Sequence, residues 1–289
     1  MKIAILSGKG GTGKTTVSTN LSWILSKKTT VQLLDADVEE PNDHIFFDVS
    51  FNQEESVDIL LPVVDNNACT RCGECSRNCQ FGAISVFASG AMVFESLCHG
   101  CGVCKMVCPV GAITERPKSI GKIKLGTVAN NSNFKFGMGI LNIGEPSGVR
   151  IIRQLKKHID ENSDIVIIDS QPGTSCPVVE TLRNIDFAIL VTEPTTFGLH
   201  DLSLAADLVK EMGIPTGIIV NRDSQKTKII DNFAQKEKIP ILMKIPFDRK
   251  IAKLYSEGKI FSEFLPKYQQ EFLSVYRKIK ELIKWNKLQ

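Results

Sequence analysis

The chain has 289 residues, 43% of them hydrophobic, and a formal net charge of +3. This composition suits one or two folded domains with full apolar cores, and so small a charge gives no footing for a nucleic-acid partner. No apolar run approaches the ~18 residues that span a bilayer, so no stable membrane insertion is expected. The apolar run 3–6 is too short for the core of a signal peptide. A cytoplasmic chain is the expectation, and its nine cysteines then point to metal or redox chemistry rather than disulfides.

Taken from the N-terminus, nearly continuous apolar runs at 2–7, 31–35, 164–169, 187–192, 216–221 and 241–245 predict parallel strands covered on both faces. Helical patterns at 14–26, 149–159, 200–212 and 227–237 fall between them. The alternation predicts an α/β fold, a doubly wound and mostly parallel sheet.

The first strand runs into Gly8-Lys9-Gly10-Gly11-Thr12-Gly13-Lys14-Thr15. This is the phosphate-loop pattern, and its setting between strand and helix is the required one. The glycines let backbone N–H groups turn toward phosphates, and the helix N-terminus adds partial positive charge. Lys14 is expected to reach the β- and γ-phosphates, Thr15 to ligate Mg²⁺, and Thr16 to border the nucleotide.

Between about 61 and 117 the rhythm breaks. Cys69-x2-Cys72-x2-Cys75-x3-Cys79 is followed by Cys98-x2-Cys101-x2-Cys104-x3-Cys108-Pro109. The two runs align at an offset of 29 residues, sharing four cysteines, a glycine (Gly73, Gly102) and a closing Gly-Ala-Ile. That is the mark of a duplicated module. Residues 63–117 are therefore expected as an insert in a body made of 1–62 and 118–289. The stretch 118–145 is expected as the return into the sheet, with an extra strand or hairpin.

The cysteine spacing resembles the bacterial two-cluster ferredoxin, an α+β module, over about 67–117. In that pattern the fourth cysteine of each run ligates the other cluster. One [4Fe-4S] cluster is then assigned to Cys69, Cys72, Cys75 and Cys108, and the second to Cys98, Cys101, Cys104 and Cys79. Structural zinc takes separated CxxC knuckles and suits the spacing less well. Gln80 stands after Cys79 where the second run has proline.

Lys9, directly after Gly8, makes residues 1–45 and about 120–289 resemble the MinD/ParA family of deviant Walker A ATPases. That family includes the nitrogenase iron protein and Mrp-type cluster-assembly ATPases. The resemblance implies a face-to-face homodimer around two ATP molecules, with Lys9 reaching the partner's phosphates. It implies that Asp37 positions the attacking water, and that Asp35 supports and Asp169 holds Mg²⁺. Gly173 falls in the second switch, where Gln171-Pro172 replaces the family's two prolines. Asn221, Pro246 and Asp248 match positions near the base.

The ninth cysteine, Cys176, lies seven residues after Asp169, where the nitrogenase iron protein carries a cluster ligand. Two readings stay open: a small buried residue at a helix start, or half of an interface metal or redox site. Near the C-terminus, Phe272, Tyr276, Ile279, Leu282 and Ile283 recur at helical spacing among Lys278, Lys280, Lys284 and Lys287. They are expected to pack on the sheet rather than lie on a membrane surface. The leading expectation is Mg-dependent ATP hydrolysis coupled to low-potential electron transfer through two [4Fe-4S] clusters to a partner protein. The alternative is an ATPase in iron–sulfur or other metal-cofactor assembly, and the third a membrane- or DNA-positioning ATPase.

Overall fold

Each apolar run becomes a strand in the computed structural model, which describes residues 1–224 and 227–286. In chain order the elements are β1 (Lys2–Leu6), α1 (Lys14–Ser26), β2 (Val31–Ala36), β3 (Val49–Val64), α2 (Glu74–Arg77), β4 (Ile84–Phe87), β5 (Gly90–Val93), α3 (Val103–Met106), β6 (Ile113–Val128) and β7 (Phe134–Leu141). There follow α4 (Val149–Lys156), β8 (Ile165–Ser170), α5 (Cys176–Leu182), β9 (Phe187–Thr192), α6 (Thr196–Glu211), β10 (Thr216–Asp223), α7 (Ile229–Glu237), β11 (Ile241–Pro246), α8 (Arg249–Ser256), α9 (Phe261–Phe264) and α10 (Pro266–Asn286). The sheet order is β11-β10-β9-β1-β8-β2-β7-β6-β3. From β11 to β7 all neighbours are parallel, and β6 and β3 complete the sheet antiparallel. This is the α/β P-loop architecture with a mostly parallel central sheet.

Burial explains why these strands are apolar throughout. Every residue of β2, β8 and β9 is buried, because helices cover both faces of the sheet. The register then sets the chemistry. Asp35 of β2 pairs with Asp169 of β8, and Asp169 pairs with Ile5 of β1, just ahead of the glycine loop. Three strand ends therefore deliver the loop and two carboxylates to one edge, the usual ligand position in such sheets.

Helix boundaries differ from expectation where caps decide them. The helix predicted at 200–212 starts at Thr196, because the Thr195 side chain accepts from the Gly198 N–H and caps it. Gly198 belongs inside the helix, since a Cβ there would lie 2.3 Å from the Glu193 carbonyl oxygen.

The return at 118–145 is a β6–β7 hairpin, but β6 begins earlier and pairs along its length with β3. That ladder runs from Val49↔Val128 to Val64↔Ile113, whereas β7 pairs only with Gly121–Thr127 of β6. The far half of the ribbon thus projects past β7 and carries the cysteine segment 65–112 at its end. The stretch 63–117 takes in the last residues of β3 and the first of β6 as well.

At the C-terminus, α10 buries Tyr268, Phe272, Val275 and Ile279 in the core that α1 and the sheet share. Tyr276, Leu282 and Ile283 pack partly buried against it, and Lys278 donates to the Leu242 carbonyl at 2.8 Å. The apolar face that a membrane surface would need is already covered. Lys287 lies outside the described residues. Among the described residues no helix is long and apolar enough to cross a membrane. Phe272 is fully buried beside Phe261. Phe272→Ala is therefore expected to cost about 3–5 kcal/mol, read from the urea midpoint. A loss below about 1 kcal/mol would show that α10 is not part of the core.

Candidate functional site

Gly13 adopts φ 101° and caps α1, so that Lys14 opens the helix. A Cβ on Gly13 would fall 2.2 Å from the Asn221 amide nitrogen, and one on Gly8 would fall 2.3 Å from the Asp201 carbonyl oxygen. The loop is therefore wedged between β10 and α6. Asn221 Nδ2 donates to the Thr12 carbonyl at 2.8 Å, so this side chain braces the loop from the end of β10. Sequence reading had placed it against the base. Its side chain still borders the cleft beside the loop.

That cleft measures about 750 Å³, within the range of small-molecule sites. Gly10, Gly11, Gly13, Lys14, Thr15 and Thr16 form one wall. Asp37, Asn221, Pro246 and Asp248 also line the cleft, with Phe247 and Tyr255. The Asp248 carboxylate is engaged as the cap of α8, accepting from the Lys250 N–H at 2.7 Å.

Behind the cleft lies a cluster that the sequence reading only half found. Thr15 Oγ1 sits 3.0 Å from Asp169 Oδ2 and 2.8 Å from Asn42 Oδ1. Ser18, one turn further along α1, sits 3.1 Å from the same Asp169 oxygen and 3.0 Å from Asp43 Oδ1. Asp35 accepts the backbone N–H groups of Asp37, Asn42 and Asp43. It therefore shapes the loop after β2. Ser18, Asn42 and Asp43 were missed. The i, i+3 spacing of Thr15 and Ser18 was a readable signal, whereas Asn42-Asp43 reach the site only through the fold of their loop.

Asp35, Asp43 and Asp169 are buried together. Burial raises Asp35 and Asp43 well above the usual carboxylate range, and Asp169 repels both. Burial also raises Asp169, opposed by the Lys14 ammonium and the Thr15 and Ser18 hydroxyls. Asp37 reaches about 6, chiefly through burial and against the pull of Lys14. Asp169 Oδ1 and Asp43 Oδ2 are buried without a hydrogen-bond partner among the described residues. An unpaired carboxylate oxygen beside a threonine hydroxyl and a phosphate loop is a donor set that fits Mg²⁺.

The cysteine segment shows its duplication in geometry. Gly73 and Gly102 open the short helices α2 and α3 at φ 80° and 77°. The Ala83 N–H reaches Cys79 Sγ and the Ala112 N–H reaches Cys108 Sγ, each at 3.3 Å. One small cavity is lined by Cys69, Cys72, Cys75 and Cys108, and another by Cys79, Cys98, Cys101 and Cys104. Each collects three thiols of one run and the last of the other. Among the described residues, no three His, Cys, Asp or Glu side chains close on a point for a single metal ion. Four thiols around a cavity with backbone N–H groups on their sulfurs fit a larger iron–sulfur group. Burial raises the Cys75 and Cys98 thiols and pushes Cys104 up to about 11, so loading with metal must release protons.

Gly8, Thr12, Asp35 and Asp169 lie behind the cleft lining, and Lys9, Gly173 and Cys176 lie off it as well. Lys9 is half-buried and makes no ion pair among the described residues. The Gly173 N–H donates to the Ser7 carbonyl at 2.9 Å, which ties the loop after β8 to the start of the phosphate loop. Cys176 is exposed at the start of α5, which corrects the reading of it as a buried packing residue.

The carboxylate trio yields a prediction. With raised folded values, the native state holds protons that the unfolded chain releases above about pH 4. The Mg-free protein thus loses stability from these groups as pH rises from there through the folded values, toward about 6 for Asp37. Asp169→Asn removes one charge. It should unfold at or above the wild-type urea midpoint near neutral pH and converge on wild type near pH 4, while Mg²⁺ no longer strengthens ADP binding in calorimetric titration. A variant that keeps the Mg²⁺ effect would remove Asp169 from the metal site.

Comparison with known proteins agrees with this geometry. The family model described as the CobQ/CobB/MinD/ParA nucleotide binding domain matches residues 3–261. An uncharacterised protein of Methanocaldococcus jannaschii is 34% identical, covering 98% of this chain and 98% of its own. A cytosolic Fe-S cluster assembly factor Nubp2 homolog of Anopheles gambiae is 27% identical over 91% of this chain and 89% of its own. An iron-sulfur cluster carrier protein of Pyrococcus horikoshii is 28% identical over 86% and 75%. Among solved structures, the septum site-determining protein MinD of Pyrococcus horikoshii, complexed with Mg-ADP, shares the fold with a TM-score of 0.59 at 21% identity, over 99% of this chain and 98% of its own. The chain belongs to the CobQ/CobB/MinD/ParA nucleotide-binding family of P-loop proteins.

Proposed function

We propose that this chain is a Mg-ATP-dependent ATPase serving iron–sulfur cofactor assembly, and that its cysteine segment is a ferredoxin-type insert holding two [4Fe-4S] clusters. The observation that carries the reading is the joining, in one chain, of a phosphate-loop cleft with two cavities of four cysteines each. The names of two relatives, an assembly factor and a cluster carrier, support assembly over electron transfer, which led in the sequence reading.

In this reading the N–H groups from Gly8 to Thr16 and the Lys14 ammonium bind the phosphates. Thr15 and Asp169 would hold Mg²⁺, which neutralises charge on the β- and γ-oxygens. Asp37, near 6 and facing Lys14, orients the attacking water and accepts its proton. Lys9 reaches the second subunit's nucleotide in a homodimer, and Gly173 exchanges its Ser7 acceptor for the γ-phosphate. Asn221, Pro246 and Asp248 flank the base. Cys69, Cys72, Cys75 and Cys108 hold one cluster, and Cys98, Cys101, Cys104 and Cys79 the other. Such clusters supply one-electron reduction at low potential. The chain works in the cytoplasm with a metallocofactor partner protein.

A second reading, ATP-gated electron transfer to a partner, is favoured by the four cysteines at each cavity. Fully ligated clusters are retained rather than handed on, so within assembly their use is as reductant. The experiment supplies ferrous iron, a sulfane-sulfur donor, dithionite as electron source, MgATP and an apo-ferredoxin under anaerobic conditions, so that the electrons that reduce sulfur to sulfide must be delivered to the forming cluster. The chain is expected to accelerate cluster formation on the acceptor. No acceleration, together with MgATP-dependent reduction of an already loaded ferredoxin, would overturn assembly in favour of electron transfer.

Two variants separate the modules. Lys14→Ala is expected to abolish ATP turnover and leave iron content unchanged. Cys108→Ser is expected to lower iron from about eight to about four atoms per chain, with turnover retained. Loss of iron in Lys14→Ala would contradict the division into two sites.

A further inference from the structure

The two cysteine cavities are not equivalent in what lies beneath them. Cys98 is buried in the core that contains Val38, Ile151, Ile152 and Ile168, and Cys79 packs against that core. Cys75, from the other cavity, belongs to a separate small cluster with Ile84 and Ile113, against which Cys108 and also Cys79 and Cys104 pack; of the eight cysteines, Cys98 and Cys79 are the ones that touch the core of the body. The Cys98/Cys101 side is thus rooted in the nucleotide-binding body through apolar contact.

Polar contacts repeat the asymmetry. Arg150, on the first turn of α4, donates from Nη2 to the Gly100 carbonyl at 3.0 Å. Gly100 stands between Cys98 and Cys101, and its N–H reaches Cys98 Sγ at 3.4 Å. The loop has no slack there, because a Cβ on Gly100 would fall 2.8 Å from Ile59 Cβ. Ile59 pairs across the ribbon with Lys118, and Lys118 is bridged at 2.7 Å to Glu145 in the segment leading into α4.

At its other contacts α4 meets both loops that border the cleft. Gly148, the residue before it, leaves no room for a Cβ, which would lie 2.3 Å from Val38 Cγ2. Val38 follows Asp37, and its carbonyl accepts from the Leu141 N–H at 2.8 Å. Further along, Arg153 grips both oxygens of Glu180 on α5 at 3.1 and 3.0 Å. Lys156 donates to the carbonyls of Glu180, Thr181 and Arg183 at 2.8, 2.8 and 2.6 Å. The loop carrying Gly173 feeds directly into α5. A two-turn helix clamped in this way would carry any displacement of either loop as a unit.

We propose that α4 couples the nucleotide cleft to the Cys79/Cys98/Cys101/Cys104 site alone, with Arg150 as the positioning residue through which it acts on the Cys98–Cys101 loop. This rests on the reading above, that the cleft takes MgATP and the cavities hold clusters. Moving Arg150 shifts a donor away from a carbonyl beside a cluster thiolate, and hydrogen bonding around the sulfurs is one of the terms that set a cluster's potential.

The test is an anaerobic EPR-monitored redox titration of the iron-loaded chain, with and without a non-hydrolysed MgATP analogue. It is run on wild type, Cys72→Ala, Cys101→Ala, Arg150→Ala and Arg150→Lys. In wild type, one cluster's reduction equilibrium is expected to change about tenfold, or about 59 mV for one electron. The response should persist in Cys72→Ala and vanish in Cys101→Ala. Arg150→Ala should keep its iron and lose most of the response, and Arg150→Lys should recover part of it. Hydrogen exchange at residues 98–104 provides a readout independent of potential. It should change with nucleotide in wild type and not in Arg150→Ala. A response that follows the Cys72 site, survives Arg150→Ala or is absent from wild type overturns this inference and leaves the proposed function standing. A chain that takes up no iron or binds no nucleotide overturns both.

Discussion

Three carboxyl groups buried at one point are the constraint on which the site depends. Parallel register sets Asp35 beside Asp169, and the loop after β2 folds back to place Asp43 against both Asp169 and Ser18. No hydrophobic packing is gained by collecting acids there, and burying them unpaired is costly. While the site is empty the three groups favour holding protons, and the hydroxyl of Thr15, the Lys14 ammonium and the phosphate loop mark the side from which a cation would replace those protons. A folded site held in electrostatic tension while empty is one that a Mg-nucleotide complex stabilises by mass action. The loop bearing Asn42 and Asp43 is held by N–H groups donated to Asp35 and by the Thr15 and Ser18 hydroxyls. Occupancy at the metal position therefore bears directly on the first of the two segments that flank the cleft.

The cysteine segment is joined to this centre by secondary structure rather than by a flexible linker. The β3–β6 ribbon is continuous with the main sheet, and it lines both cavities: Val64 and Ile113 at its far end border the first, and Leu60, Pro62 and Glu115 the second. Within the segment the two halves repeat to a degree that extends to individual N–H···S contacts, yet the symmetry ends at the boundary with the body. Arg150 of α4 holds the second half at Gly100, while the small core around Cys75, Ile84 and Ile113 is shared by both halves.

Much of this was legible in the residues because strong signals were local. The strand runs 31–35 and 187–192 and the helix at 14–26 stand where apolar pattern and the Gly13-Lys14 junction place them. The cysteine spacing anticipated which four thiols share each cavity. What stayed hidden was set by long-range pairing. Strand β3 reads as Ser, Asn, Gln and Glu over its first half, poor strand formers that extend only because β6 supplies the partner. Pro194-Thr195-Thr196 reads as a turn until the Thr195 side chain is seen to cap α6. Asp43 and Asn42 carry no motif, and nothing in the residues shows that the Asn221 amide also holds the Thr12 carbonyl. Cys176 has nothing in its neighbours that announces exposure.

The most direct test of the account is native mass spectrometry of the anaerobically purified chain, with and without a non-hydrolysed MgATP analogue. The account predicts a mass increment of two four-iron, four-sulfide groups per chain, together with a nucleotide-dependent dimer carrying one MgATP analogue per subunit. A chain that carries zinc, or no metal, or that binds nucleotide only as a monomer would contradict it.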